Sequence, residues 1–218
     1  MLAAAHSCAI ESQSESCSNI RDQMTVYEAP PPEVGDLAQA CVRFVHDALG
    51  LTLDYTPETL PILDHYLREG GRTRQELIDL LTPAAGAYFG EVVRRHMPGA
   101  RWHSPAGDYA GYRLEFAPFF LCFNPLGVAR EVLTQRAAEG WGAHFQVLDD
   151  ARERVRQSLE STPVAPEDYY TLSVRLEALE QIGDLLTALE STQKERRTFG
   201  PDVYRAASGE PAGGGRPS

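Results

Sequence analysis

Residues 84–90, AAGAYFG, are apolar on every side of a helical wheel for nearly two turns. Stepping 100° per residue puts Ala85, Phe89, Val92 and Val93 on one flank and Ala84, Ala87 and Tyr88 on the other. A helix segment without a polar stripe has no face to give to water, so it belongs at the centre of whatever the chain builds. Gly86 and Gly90 adjoin the first flank with G-x-x-x-G spacing, which in a soluble protein marks close approach of a neighbouring helix. The chain must therefore supply partners for this segment from both sides of it in sequence.

Upstream, Asp36 can cap a helix that runs to Leu49 and is closed by Gly50, with Leu37, Cys41, Val45, Ala48 and Leu49 on its apolar side and His46 facing water. Thr56–Pro57 opens a second helix ending at Gly70–Gly71, with His65 on its polar side. Thr73 and Glu76 match a capping box. The helix they start is expected to end or kink at Thr82–Pro83, where the central helix begins.

After Pro98–Gly99 the period changes. ARWHS, YRLEF and FFLCF are short aromatic-rich runs separated by turn residues, which predicts strands. In YRLEF, Tyr112, Leu114 and Phe116 share one face while Arg113 and Glu115 share the other. The links are too short for parallel crossovers, so about three antiparallel strands are expected. Asn124–Pro125 then caps a helix reaching Ala138–Glu139 and stopped at Gly140.

Residues 145–160 form a charged amphipathic segment broken by Pro163 and Pro166. A long helix follows over about 167–193, with Tyr169, Leu172, Leu176, Leu179, Ile182, Leu186 and Leu189 stepping by three or four. A hairpin of these two helices fits better than a coiled coil, which sustains more heptads. The expected fold is thus α+β: N-terminal helices on a small antiparallel sheet, then a C-terminal helical hairpin. By segment this means a disordered tail over 1–33, an α+β domain over 34–142, the hairpin over 143–194 and a disordered, Gly/Pro/Ser-rich tail over 195–218.

The first 23 residues have no basic n-region or apolar h-region, so they do not read as a signal peptide. Met24 opens a more natural beginning, which makes the preceding stretch an expected upstream start. No run approaches a membrane span. A formal charge of −11 sets nucleic acid aside as a partner, because phosphate repulsion must first be overcome. Lys194–Arg197, KERR, reads as a solvated helix end. The four cysteines, at 8, 17, 41 and 122, have no C-x-x-C spacing, and no metal site is expected. Phosphate-binding, dinucleotide, nucleophile-elbow and zinc-protease motifs are all missing, so no cofactor is expected either.

Chemistry concentrates where the central helix turns polar. Tyr88, Glu91, Arg94, Arg95 and, past the turn, Trp102 are the candidate binding residues. One reading pairs Glu91 with Arg95 at i,i+4, worth about 0.3–0.5 kcal/mol on an exposed surface. The other buries Glu91 and turns an arginine with Tyr88 toward a small anion, with Trp102 as a wall. A buried Glu–Arg pair costs desolvation and needs a further reason to exist. His96, His103 and Glu91 have the residue types of a metal site but the wrong helical register, and Cys122 lies in what reads as a strand interior.

The order LDYTPETLPILDHYL, GAYFGEVVRRHMPGARW and FNPLGVAREVLTQRAAEG resembles an uncharacterised family of small bacterial domains. Its motif is G-A-Y-x-G-E-x-x-R-R followed by a strand-borne Trp, and the resemblance covers roughly residues 50–141. It implies the helix–strand order and no established activity. The functional expectation is a non-enzymatic cytoplasmic interaction or regulatory module, of which an immunity-like role is one version, binding a protein partner or itself. The alternative is a small-anion-binding protein or enzyme built on Glu91, Arg94 and Arg95.

Overall fold

The central segment is the middle of one long helix. A computed structural model describes residues 29–70, 75–165, 168–193 and 197–209. In it α3 spans Gln75–His96 without interruption, and residues 81–94 are all buried. It lies against α1 (Pro32–Leu49) and α4 (Pro125–Thr134). The expected break at Pro83 does not occur. A proline costs an internal hydrogen bond, but here its ring lies in the core, and packing on both sides holds the helix through it. Gly86 makes the approach to α4 possible. A Cβ there would sit 2.3 Å from the Leu126 backbone, so no larger residue fits.

Helix α1 starts at Pro32 rather than Asp36 and ends on Gly50 in the left-handed conformation. It buries Val34, Ala38, Cys41 and Val45, while His46 is exposed. A 3-10 turn at Pro57–Thr59 leads into α2 (Leu60–Gly70). Thr73 of the expected capping box lies outside the described residues.

The sheet has four strands, not three: β1 (Ala100–His103), β2 (Arg113–Phe116), β3 (Leu121–Phe123) and β4 (Gln146–Val147), antiparallel in that order. Strand β4 is too short to carry a periodic signal; it forms because Leu121 pairs with Val147 and Cys122 with Gln146. Leu114, Phe116, Leu121 and Phe123 join the main core. Between β3 and β4, α4 is capped by the Asn124 side chain, which accepts from Leu126 and Gly127 N–H. It stops at Thr134, earlier than expected, with Gln135 in the left-handed region.

Helices α5 (Asp149–Glu160) and α6 (Leu172–Ser191) form the hairpin, and α6 also packs on α2 and α4. Its first turn is held from outside. Asp64 of α2 accepts from Leu172 N–H at 2.6 Å, Ser173 N–H at 3.1 Å and the Ser173 hydroxyl at 2.7 Å. The two N–H groups are orphan donors of a helix start, met by a carboxylate.

The disordered tail expected from 195 is corrected within 197–209, where Pro201–Ala207 forms α7. Phe199 and Tyr204 close over Phe120 and Cys122 in a second small apolar cluster. The Tyr204 hydroxyl donates toward Phe116 O at 2.7 Å and accepts from Leu121 N–H at 3.1 Å, between two strands. Two large aromatics offer enough burial to hold a short segment that composition alone marks as unstructured.

Candidate functional site

The polar half of α3 faces β1. Glu91 is 1% exposed, and its partner within α3 is Arg94, one turn on. Arg94 Nε donates to Oε1 and Nη2 to Oε2, both at 2.8 Å, a bidentate fork. Trp102 Nε1 donates to Oε1, also at 2.8 Å. Arg95, the partner expected from spacing, stands further off, with Nε 3.6 Å from Oε2. Both i+3 and i+4 reach the same helical face, and the arginine on the buried side takes the carboxylate.

Gly90 admits the tryptophan. A Cβ at that position would meet the Trp102 ring at 2.2 Å, so the glycine is what lets the indole lie on α3 with its N–H aimed at Glu91. The second glycine of G-x-x-x-G thus serves a side chain first, and also the approach of α4, whose Pro125 a Cβ would meet at 3.1 Å.

Arg95, with 42% of its side chain exposed, lies flat over Tyr55 at 3.8 Å from the ring centroid. Tyr55 in turn stacks on Tyr88 at 4.8 Å. The Tyr88 hydroxyl accepts Tyr55 N–H at 2.9 Å and shares a hydrogen bond with Thr59 Oγ1 at 2.8 Å. Burial pushes the Tyr88 hydroxyl up to about 12, so it stays neutral. Tyr55 has φ 65°, a left-handed conformation that costs a non-glycine residue about 1–2 kcal/mol. The Tyr88 bond to its amide and the ring's contacts with Tyr88 and Arg95 hold it there. Of the candidate residues, Glu91, Arg94, Arg95 and Trp102 meet directly, and Tyr88 is linked to them through Tyr55.

Sequence reasoning missed Tyr55, whose conformation has no local signature. It also missed three further buried carboxylates, Asp64 of α2, held at the start of α6, and two more. Glu115, placed on the polar face of β2, is 2% exposed and is held by Arg113 Nε at 2.8 Å and Arg101 Nε at 3.0 Å. Arg101 also donates to Phe199 O, which ties this pair to the segment before α7. Glu131 of α4 accepts from Arg175 Nη2 of α6 at 2.5 Å and from Ala138 N–H at 3.2 Å.

The other titratable candidates are placed apart from the cluster. His96 Nε2 meets Glu180 of α6 at 2.5 Å on the surface. Cys122 is buried with its thiol on Gln146 Oε1, and burial pushes both Cys41 and Cys122 up to about 12, where neither is a nucleophile at neutral pH. Among the described residues no three His, Cys, Asp or Glu side chains gather to hold a metal ion. Nor is any helix among them long and apolar enough to cross a membrane.

All five candidate residues lie inside one matched stretch. Residues 10–115 match a family of unknown function, DUF6278. The match agrees with the resemblance to an uncharacterised family, though it begins earlier and stops within β2, leaving α4 to α7 outside. No curated protein and no solved structure matches the chain.

Proposed function

We propose that this chain is a non-catalytic cytoplasmic protein-interaction or regulatory module that binds a partner protein or a second copy of itself. An immunity-like role, in which binding neutralises the partner, is its most concrete version. The observation that supports it is the engagement of Glu91. Its two oxygens accept three hydrogen bonds from Arg94 and Trp102 within the same fold, at 1% exposure. A general base needs a lone pair within reach of a substrate proton, and this carboxylate turns both oxygens inward. The excess of acidic residues, −11 in all, favours a partner with a basic surface and speeds its approach.

The test is cross-linking of the full chain in the cells that make it, followed by light scattering of the purified complex. A discrete adduct of fixed stoichiometry, with another protein or with itself, is expected. A chain that stays monomeric and yields no adduct would overturn the reading. The anion-binding alternative is tested by titrating phosphate and sulfate into a Trp141→Phe variant, in which Trp102 is the sole indole. A saturable fluorescence change, abolished in Arg95→Gln, would replace the interaction reading with the alternative.

A further inference from the structure

The hairpin carries a cleft of about 350 Å³ between the end of α5 and the first half of α6. Phe145, Leu159, Val164, Tyr169 and Ala178 form its walls, and Arg175 lines it as the cationic member. Val164 and Tyr169 are 42% and 51% exposed, so apolar side chains stand open at the mouth.

Arg175 is held but incompletely matched. Its guanidinium lies 5.1 Å from the Tyr169 ring centroid and 5.9 Å from that of Phe145. Nη2 is committed to Glu131, while Nε is buried without an acceptor. That N–H is closed off from the cleft, so it bears a desolvation cost inside the wall and is not a donor open to a ligand. Glu131 already neutralises the guanidinium, and Glu177 and Glu160 stand among the residues around the cleft, Glu160 paired with Arg156 at 2.5 Å. An anionic ligand would meet that negative field, whereas a neutral carbonyl would not. The surrounding charge is one-sided: residues 149–191 hold ten acidic and four basic side chains.

We propose that this cleft is the partner-binding site, and that its occupant is a basic peptide segment of a partner protein. A large apolar side chain of the segment enters between Phe145, Leu159 and Ala178. Flanking Lys or Arg residues face Glu177 and the Glu160 end of its pair with Arg156. Apolar anchoring sets the position and complementary charge sets the choice of partner. This rests on the interaction reading above and names the surface that reading uses.

The experiment uses the isotopically labelled full chain and four probes followed by NMR. They are acetyl-Arg-Lys-Leu-Phe-Lys-amide, its acidic counterpart acetyl-Glu-Asp-Leu-Phe-Glu-amide, acetyl-Arg-Lys-Gly-Ser-Lys-amide and sodium octanoate. The basic Leu-Phe peptide is expected to shift the Val174 and Ala178 amides and the Arg175 Nε–H signal, with a Kd at least tenfold below that of the acidic peptide. Ala178→Trp, which fills the cleft, is expected to abolish the shifts. Glu177→Lys, on the exposed rim, is expected to narrow the preference for the basic peptide without disturbing the fold. Equal shifts from the Gly-Ser peptide would reduce the effect to charge alone and overturn the site. Octanoate as the only ligand would overturn the peptide in favour of a small amphiphile. No shift from the basic peptide, in a chain that still forms its complex in cells, overturns this surface alone. No complex in cells overturns the interaction reading as well.

Discussion

Glu91–Arg94 and Glu131–Arg175 are both buried carboxylate–guanidinium pairs, and they differ in what is left over. At Glu91 the arginine presents a bidentate fork, the indole of Trp102 adds a third donor, and side chains from α3 and β1 close the site. At Glu131 one guanidinium nitrogen is used, the backbone of Ala138 supplies the second donor, and Nε remains unmatched beside an open cleft. The first pair lies in the central packing of the domain; the second joins α4 to a hairpin with open space beside it. A polar cluster with every acceptor filled locks a fold together. One with a donor left unmatched inside the wall of a cavity carries a cost of burial that the fold does not offset.

The comparison predicts unequal consequences. Glu91→Ala leaves Arg94 and the Trp102 N–H buried without their acceptor and should cost about 3–5 kcal/mol in urea unfolding. A loss below about 1 kcal/mol would mean that the cluster does not hold the fold. Arg94→Lys keeps the charge but loses the fork, and should cost about 1.5–3 kcal/mol by the same measurement. Gly90→Ala drives a methyl into the indole and should cost about 1–3 kcal/mol. It should also change Trp102 fluorescence, because the ring must leave Glu91 to make room.

The centre of this fold was legible because its signals are local. A helix with no polar stripe must be surrounded, and Gly86 marks where a neighbour comes close. Alternation in YRLEF likewise placed Leu114 and Phe116 in the core. The misses depend on distant chain. Glu115 alternates as a surface residue should, and it is buried only because Arg101, Arg113 and the chain at Phe199 cover that side. Strand β4 exists through its pairing with β3, and α7 through the two aromatics it buries. For α7 a weak signal was present: Gly200–Pro201 is a usable helix start in a segment otherwise read by composition. The partner of Glu91 turned on which of two adjacent arginines faces inward, and periodicity does not separate i+3 from i+4 on one face.

Asp64 supplies an intermediate case, a filled acceptor that still bears a cost of burial. It takes three hydrogen bonds at the start of α6, yet burial raises its pKa above the ordinary 3.8. An acid with a raised folded value binds its proton more tightly in the folded state. Its contribution is therefore fully present below 3.8 and declines as pH rises through the raised folded value. Asp64→Asn does not titrate. The stability of the native protein relative to this variant should be most favourable near pH 3 and fall toward neutrality. A difference that instead grows with pH would show that the helix N–H donors outweigh desolvation.

The smallest effect is expected at the second pair, and it separates the two most sharply. Arg175→Lys keeps one charged donor for Glu131 and removes the Nε–H that nothing in the fold accepts. The side chain also keeps its aliphatic stem against the cleft wall. Unfolding free energy should therefore change by no more than about 1 kcal/mol, against the larger loss for the same substitution at Arg94. If the two lysine variants cost the same, the unmatched nitrogen has no significance and the pairs are equivalent. If Arg175→Lys is mild in stability while the basic peptide loses most of its affinity, the guanidinium serves the wall of the cleft rather than the fold.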